Sequence, residues 1–256
     1  MRQIEKIAKK LSIAFIKNKV IAPIPVKFSK NINFANKLRK LSESYIKKPI
    51  LGYKAGGTSI PLLKKLGEKE PFYASVFSQN ILTNGKSVKI NKYTLGMELE
   101  VCYLIKKSFF KSKKKLSLTN IEKHISHILV CIEILGYRQR KKGIKYLGDV
   151  CGDFGGNIKF LIGSKKKYKK ISVNNLKTKL YNKKTKNLII GNTNTVYKNP
   201  LNSLFFVLKK LAKDKVNLHK NFYVFTGSTV GIVPILKKGL YTGTIDKLGS
   251  VSVKIR

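Results

Sequence analysis

The chain has 256 residues, 43% of them hydrophobic, which is enough to bury a full core in one large domain or two small ones. No run of about 18 apolar residues occurs, which argues against a membrane-spanning helix. There are 54 basic residues against 12 acidic ones, giving a formal net charge of +42, yet only five of the basic residues are Arg. Because Arg is preferred for phosphate clamps and base recognition, we interpret the dispersed lysines as a solvated basic surface.

The cysteines and the N-terminus both indicate an ordinary protein of the cytoplasm. Three cysteines, Cys102, Cys131 and Cys151, are odd in number and lack metal-type spacing, so we expect small core residues in a reducing compartment. Met1 to Lys19 is basic and amphipathic but has no apolar signal core. We therefore expect this segment to be a helix of the mature protein.

The first third of the chain is predicted to be helical. Apolar residues at helical spacing predict helices over 3–18 and 29–47, separated by the extended segment Ala22-Pro23-Ile24-Pro25. A strand over 51–57 then runs into a glycine turn. A short helix around 61–66 follows, capped by Thr58 or Ser59.

The rest of the chain is predicted to be rich in β-structure. Asn84-Gly85 predicts a hairpin-type turn, and Thr119 or Asn120 predicts the start of a helix that ends near Ile128. The remaining expected elements, in chain order, are strands over 96–105 and 129–135, a glycine-containing loop over 136–157, a strand near 160–163, a helix over 201–214, and strands over 222–225 and 239–255. This order predicts an α+β fold in one domain of residues 1–256, with a helical part to about 48 and a β-rich body from about 49.

Two carboxylates stand two residues apart in the strand 96–105. Because side chains alternate along a strand, Glu98 and Glu100 should project from one face, while Met97, Leu99 and Val101 project from the other. Neighbouring carboxylates repel each other unless a positive group lies between them. Oxygen ligands of this kind suit a hard divalent cation.

A third acid, Glu133, lies in the apolar run 129–135, where an unpaired carboxylate costs roughly several kcal/mol. Two interpretations of Glu98, Glu100 and Glu133 stay open on spacing alone. Either they bind a metal together, or each pairs with one of the abundant lysines in a structural ion-pair cluster.

Several motifs in one order resemble the 2-keto-4-pentenoate hydratase branch of the fumarylacetoacetate hydrolase superfamily. They begin at Gly52 and continue to the C-terminal strand. The matching segments are Gly52-Tyr53-Lys54-Ala55-Gly56-Gly57-Thr58-Ser59, Glu98-Leu99-Glu100, Ile132-Glu133-Ile134, Gly148-Asp149-Val150-Cys151-Gly152-Asp153, Asn199-Pro200-Leu201-Asn202, Thr226-Gly227-Ser228 and Leu248-Gly249-Ser250-Val251-Ser252-Val253.

The resemblance implies a fumarylacetoacetate-hydrolase-type fold and a metal-dependent active site. It implies Mg²⁺ or Mn²⁺ bound by Glu98, Glu100 and Glu133, acting as a Lewis acid under a small 2-oxo or 2-hydroxy-dienoic acid. The other implied site residues fall into two groups. The catalytic group is Lys54, Asp149 and Asp153, and the substrate-binding group is Ser59, Arg138 and Thr226.

The activity implied by the resemblance is that of a hydro-lyase, which adds water to 2-hydroxypenta-2,4-dienoate to give 4-hydroxy-2-oxopentanoate during breakdown of aromatic compounds. A related 2-oxo-3-hexenedioate decarboxylase is the alternative, because both would use the same metal set and lysine. A homo-oligomer, and association with such a decarboxylase, are also implied. Phe72, where an acidic residue is expected, and Phe154-Gly155-Gly156 depart from the family pattern, which indicates a different substrate or reduced activity.

A hypothesis from another class is a catalytically degraded scaffold that binds polyanions through its lysines. It predicts binding that weakens strongly with salt and does not depend on a metal. The three glutamates argue against it, because carboxylates repel phosphate.

Overall fold

The computed structural model describes residues 2–112, 115–140 and 143–256. In these residues the α-helices are α1 (Arg2–Lys17), α2 (Val26–Ser29), α3 (Ile32–Ser44), α4 (Ile60–Lys65), α5 (Leu147–Cys151) and α6 (Pro200–Lys213). The strands are β1 (Ile50–Gly56), β2 (Phe72–Phe77), β3 (Ile81–Thr83), β4 (Ser87–Val88), β5 (Thr94–Ile105), β6 (Ile125–Gly136), β7 (Asn157–Ile162), β8 (Lys166–Lys167), β9 (Lys177–Asn182), β10 (Leu188–Asn192), β11 (Phe222–Ser228), β12 (Gly239–Ile245) and β13 (Gly249–Ile255). None of the described helices is long and apolar enough to cross a membrane.

The N-terminal helices pack through one apolar face of α1. Ala8, Leu11 and Phe15 of that face are buried against a cluster that includes Leu38 of α3 and Phe154. The helix predicted over 29–47 is shorter in the structure, where it is α3. The side chain of Asn31 accepts hydrogen bonds from the backbone N–H groups of Asn33 and Phe34 and caps α3, and residues 26–29 form the separate short helix α2.

Two sheets form the body of the molecule. The larger has the order β2-β1-β11-β5-β6-β7-β3, with β8 paired to β6, and the smaller has the order β10-β9-β12-β13-β4. Leu99 and Ile132 of the larger sheet share one apolar core with Val251 and Val253 of the smaller sheet. The mixed α+β architecture predicted from the sequence is therefore confirmed, while the domain boundaries stay a prediction.

Three local predictions were wrong. The helix expected to end near Ile128 is a 3₁₀ turn over Ile121–His124, and β6 begins at Ile125, because the apolar residues that follow pair with β5 instead. The Asn84-Gly85 turn joins β3 to β4, which lie in different sheets, so it closes no hairpin. The loop predicted over 136–157 contains the short helix α5.

Candidate metal centre

The pairing of β5 with β6 brings the three glutamates together. Glu98 lies directly opposite Glu133 in the antiparallel register, and Glu100 follows two residues later on the same face. One carboxylate oxygen from each of the three lies within 4.8 Å of the others. Met97, Leu99 and Val101 point into the core on the opposite face, as the alternation predicts.

Glu100 presents an oxygen that the protein itself does not satisfy. Its Oε2 atom accepts a hydrogen bond of 3.0 Å from the backbone N–H of Gly227, but its buried Oε1 atom has no partner among the described residues. The carboxylates of Glu98 and Glu133 lie within 4.8 Å of the Glu100 carboxylate, and they cannot donate a hydrogen bond when ionised. An orphaned carboxylate oxygen beside two others fits a hard divalent cation.

The electrostatics of this cluster disfavour three free carboxylates. Burial and the neighbouring charge of Glu133 raise the pKa of Glu98 from 4.5 to about 7. The same two causes, with Glu98 added, raise the pKa of Glu100 well above its usual range. Without a cation, the site therefore favours protonated acids, and bound metal would compete with protons for it.

Lys54 of β1 compensates the negative charge of Glu133 by forming an ion pair with it. Its Nζ atom donates to Oε1 and Oε2 of Glu133 at 2.5 and 2.7 Å, and to the carbonyl oxygen of Gly155 at 3.1 Å. Burial opposes the charge of Lys54, but the combined field of the glutamates outweighs burial and raises its pKa. Both sequence interpretations thus apply in part, since Glu133 has an ion pair while the described residues provide none for Glu98 or Glu100.

A cavity of about 580 Å³ opens beside this cluster. Lys54 and Glu98 line it, together with residues of the glycine turn after β1 and of the segment 227–232. The apolar side chains that complete its wall are Leu62, Phe72, Leu95, Leu135, Ile144, Leu147, Val150, Ile190, Val230 and Ile232. The cavity is large enough for a small organic acid.

Ser59 and Thr226, both expected to bind substrate, differ in position. Ser59 is exposed, lines the cavity, and caps α4 by accepting from the N–H of Leu62 at 3.4 Å. Thr226 is fully buried, and its hydroxyl donates to the carbonyl oxygen of Val101 at 2.8 Å. Only Ser59 of this pair therefore faces the cavity.

Arg138 and Asp153 lie outside the described lining of the cavity. Asp153 is fully buried and accepts from the backbone N–H of Arg138 at 2.7 Å and from its guanidinium at 3.4 Å. The guanidinium also lies 4.6 Å from the ring centre of Phe15 and 5.5 Å from that of Phe154. These contacts favour a role for the pair in fixing the loop and α1, and their predicted roles at the substrate are not tested.

Asp149 is buried at the start of α5. Its Oδ2 atom accepts from the backbone N–H groups of Lys145 and Tyr146 at 3.0 and 2.9 Å, which orders the turn that leads into the helix. Neighbouring residues of this turn, Ile144 and Leu147, reach the cavity wall. Asp149 thus shapes the wall, and its catalytic role stays a prediction.

Gly227 is the site residue that sequence reasoning missed. Its φ of +104° is rarely adopted by other residues, and an added Cβ would collide with the hydroxyl of Thr58. Its N–H holds Glu100, so this backbone position orients a metal ligand. The motif Thr226-Gly227-Ser228 contains Gly227, but the sequence interpretation assigned the functional role to the Thr226 side chain.

Replacing Gly227 by Ala is expected to lower the free energy of unfolding by at least about 3 kcal/mol, from left-handed strain and overpacking together. Gly231→Ala is the matched control, because Gly231 has a φ of +74° and no atom within 4 Å of an added Cβ. The control should lose only about 1–2 kcal/mol. Urea denaturation measures both, and equal losses would contradict the close contact with Thr58.

The metal-free protein is expected to lose stability as the pH rises from about 5 to about 8. The folded-state pKa of Glu98 is about 7 against an ordinary 4.5, so the folded state binds more protons than the unfolded state in this window. The loss from this group should be on the order of 2 kcal/mol. Urea denaturation in EDTA at several pH values measures how the free energy of unfolding falls with pH. Saturating Mg²⁺ should reduce this fall, and Glu98→Gln should remove the part of it that comes from Glu98. A stability that rises with pH in EDTA would contradict the raised pKa.

Comparisons with family models and with curated protein sequences gave no match. Comparison with solved structures gave full-length similarity to 4-oxalocrotonate decarboxylase from Pseudomonas putida G7, complexed with magnesium and adipate, with 18% identity, a TM-score of 0.84, and coverage of 100% of this chain and 98% of that one. The chain has a fumarylacetoacetate-hydrolase-type fold. At this identity the similarity shows the fold alone, and it confirms the fold predicted from the sequence.

Two further structures share this fold more distantly. Fumarylpyruvate hydrolase from Pseudomonas aeruginosa, in complex with Mn²⁺ and pyruvate, is 15% identical with a TM-score of 0.61, over 81% of this chain and 90% of that one. A fumarylacetoacetate hydrolase family protein from Yersinia pestis CO92 is 14% identical with a TM-score of 0.56, over 82% and 95%.

Proposed function

We propose that this protein is a metal-dependent enzyme of the fumarylacetoacetate hydrolase superfamily that acts on a small 2-oxo acid or its 2-hydroxy-dienoate form. The observation that carries the proposal is the cluster of Glu98, Glu100 and Glu133, in which Oε1 of Glu100 is unsatisfied, next to a cavity that Lys54 and Glu98 line. Bound Mg²⁺ is a feature of the decarboxylase structure, and Mn²⁺ with pyruvate is a feature of the hydrolase structure. Both support Mg²⁺ or Mn²⁺ as the cation that the three glutamates of this chain would bind.

The residues of this chain have separable tasks in the proposal. The three glutamates hold the cation, which when bound supplies Lewis-acid stabilisation of negative charge on substrate oxygens. Lys54, kept protonated by its glutamate neighbours, can hold an anionic oxygen or give a proton to a carbon that has become electron-rich. The apolar wall lines the part of the cavity that would contact the uncharged carbon chain of the substrate.

The specific reaction proposed is the addition of water to 2-hydroxypenta-2,4-dienoate, giving 4-hydroxy-2-oxopentanoate. A second candidate is decarboxylation of 2-oxo-3-hexenedioate, favoured by the full-length similarity to 4-oxalocrotonate decarboxylase. The two share the cation and Lys54 but differ in product, since only the second releases carbon dioxide.

Turnover assays with each acid, in Mg²⁺ and in EDTA, test the proposal. We expect consumption of the dienoate with formation of the hydroxy-oxo acid in Mg²⁺, and a loss of at least about 100-fold in EDTA. Release of carbon dioxide from the diacid would favour the second candidate. Metal-independent turnover would contradict both, and salt-sensitive polyanion binding without turnover would favour a basic scaffold.

The expected biological setting belongs to the same proposal. A cytoplasmic enzyme in the breakdown of aromatic compounds would meet such dienoates, and the three cysteines are free, as suits a reducing compartment. We include a homo-oligomer, and association with a related decarboxylase, as expectations. Size-exclusion chromatography with light scattering measures the first, and co-purification with the decarboxylase measures the second.

A further inference from the structure

The described lining of the cavity contains only two ionisable side chains, Lys54 and Glu98. Lys54 is the only cation of the two, and both of its short contacts to side chains go to Glu133. A substrate carboxylate or enol oxygen at the metal would use this cationic end of the cavity. Among the described residues of the wall, no second cation remains for another carboxylate at the far end.

Phe72 gives the wall its apolar character close to Lys54. It lines the cavity and is 3% exposed, and its ring lies so close to the backbone of Gly56 that a Cβ there would collide with it. Phe72 packs in one cluster with Leu147 and Val150, which also line the cavity, and with the partly buried Leu95 and Ile144. One continuous apolar surface therefore runs from the vicinity of Lys54 along the wall.

We propose that this cavity selects substrates with a single carboxylate and an uncharged far end, and that the apolar wall that begins at Phe72 and includes Leu95 determines this specificity. The inference rests on the proposed function and narrows its substrate class. A second carboxylate placed against the apolar part of this wall would lose its hydration without gaining a cationic partner. An uncharged vinyl or alkyl end would instead bury apolar surface there.

The net charge of +42 acts in the opposite direction at long range, because it attracts dianions more than monoanions. Salt screens this attraction over about 8 Å at roughly 0.15 M ionic strength, whereas contacts inside the cavity are screened much less. The difference in affinity between the two acids at that ionic strength therefore reflects contacts with the cavity wall rather than attraction to the charged surface.

The test is calorimetric titration of the full-length, Mg²⁺-loaded protein with 2-oxopentanoate and with 2-oxohexanedioate at about 0.15 M salt. We expect the monoacid to bind at least about 10-fold more tightly. Phe72→Lys should reverse the preference by adding a cation to the wall, and Phe72→Leu, the matched control, should keep it. Leu95→Lys provides the same reversal at a less buried position if Phe72→Lys does not fold, as judged by circular dichroism.

The outcomes separate this inference from the proposed function. Equal binding of the two acids, or tighter binding of the diacid, would overturn the inference and leave metal-dependent 2-oxo acid binding intact. An unchanged preference in folded Lys variants would overturn the role of the wall. Absence of Mg²⁺-dependent binding by both acids would overturn the proposed function and this inference with it.

Discussion

Replacing Lys54 by Met is expected to lower the free energy of unfolding of the metal-free protein by about 3–5 kcal/mol. Glu133 is fully buried, and the ammonium group of Lys54 contacts both of its oxygens, so the substitution leaves an uncompensated buried carboxylate. Turnover should fall by about 10²–10⁴-fold as well, because the substitution removes the proposed proton donor. Denaturant unfolding and a steady-state assay measure the two effects.

The double variant Lys54→Met/Glu133→Gln is the control for this prediction. Removing the charge of Glu133 together with that of Lys54 should recover part of the lost stability, since the two residues are coupled, but should not recover turnover. Saturating Mg²⁺ should also stabilise the single variant more than the unsubstituted protein, because the cation replaces the missing positive charge. A single variant that is as stable as the parent in EDTA would contradict the ion pair.

Replacing Glu100 by Gln is expected to have opposite effects on stability and function. In EDTA the variant should be more stable than the parent by on the order of 2 kcal/mol, because a buried acid is removed from a crowded group of three. The amide oxygen of Gln can still accept the hydrogen bond from the N–H of Gly227. Metal affinity should fall by at least about 100-fold, since the variant loses a charged ligand.

Thermal unfolding with and without Mg²⁺ measures both parts of this prediction. The parent should gain melting temperature with Mg²⁺, by ligand linkage, and the Glu100→Gln variant should gain little at the same concentration. Glu98→Gln is a useful comparison, because Glu98 is only partly buried and its removal should stabilise the metal-free protein less. Equal Mg²⁺ stabilisation of the parent and the Glu100→Gln variant would exclude Glu100 as a ligand.

The acidic cluster was within reach of sequence reasoning because its signals are local. Strand alternation places Glu98 and Glu100 on one face, and an acid inside an apolar run marks Glu133. The proximity of Glu133 to the other two glutamates is not a local property, because it depends on the pairing of β5 with β6. A helix was wrongly predicted to reach Ile128, which would have shortened β6. The register between β5 and β6 therefore could not be deduced from the sequence.

Other parts of the site depend on long-range contacts that motifs do not show. Asp153 lies in a motif that resembles the family pattern, but only the folded chain shows that its carboxylate meets the guanidinium of Arg138, which packs on Phe15 of α1. Gly227 acts through its backbone, which leaves no side-chain signal in a sequence. The apolar wall likewise needed the fold, because Phe72 and Leu147 are distant in the chain and meet only in the cavity lining.

The register between β5 and β6 has a consequence for insertions and deletions. Glu98 faces Glu133, and the residues beside them alternate between this face and the core. A shift of one residue on either strand would turn the carboxylates into the apolar interior and bring Leu99 or Ile132 to the metal. We therefore expect a single-residue insertion or deletion within either strand to disrupt the site, whereas a change of length in the segment that connects the two strands should leave their register intact.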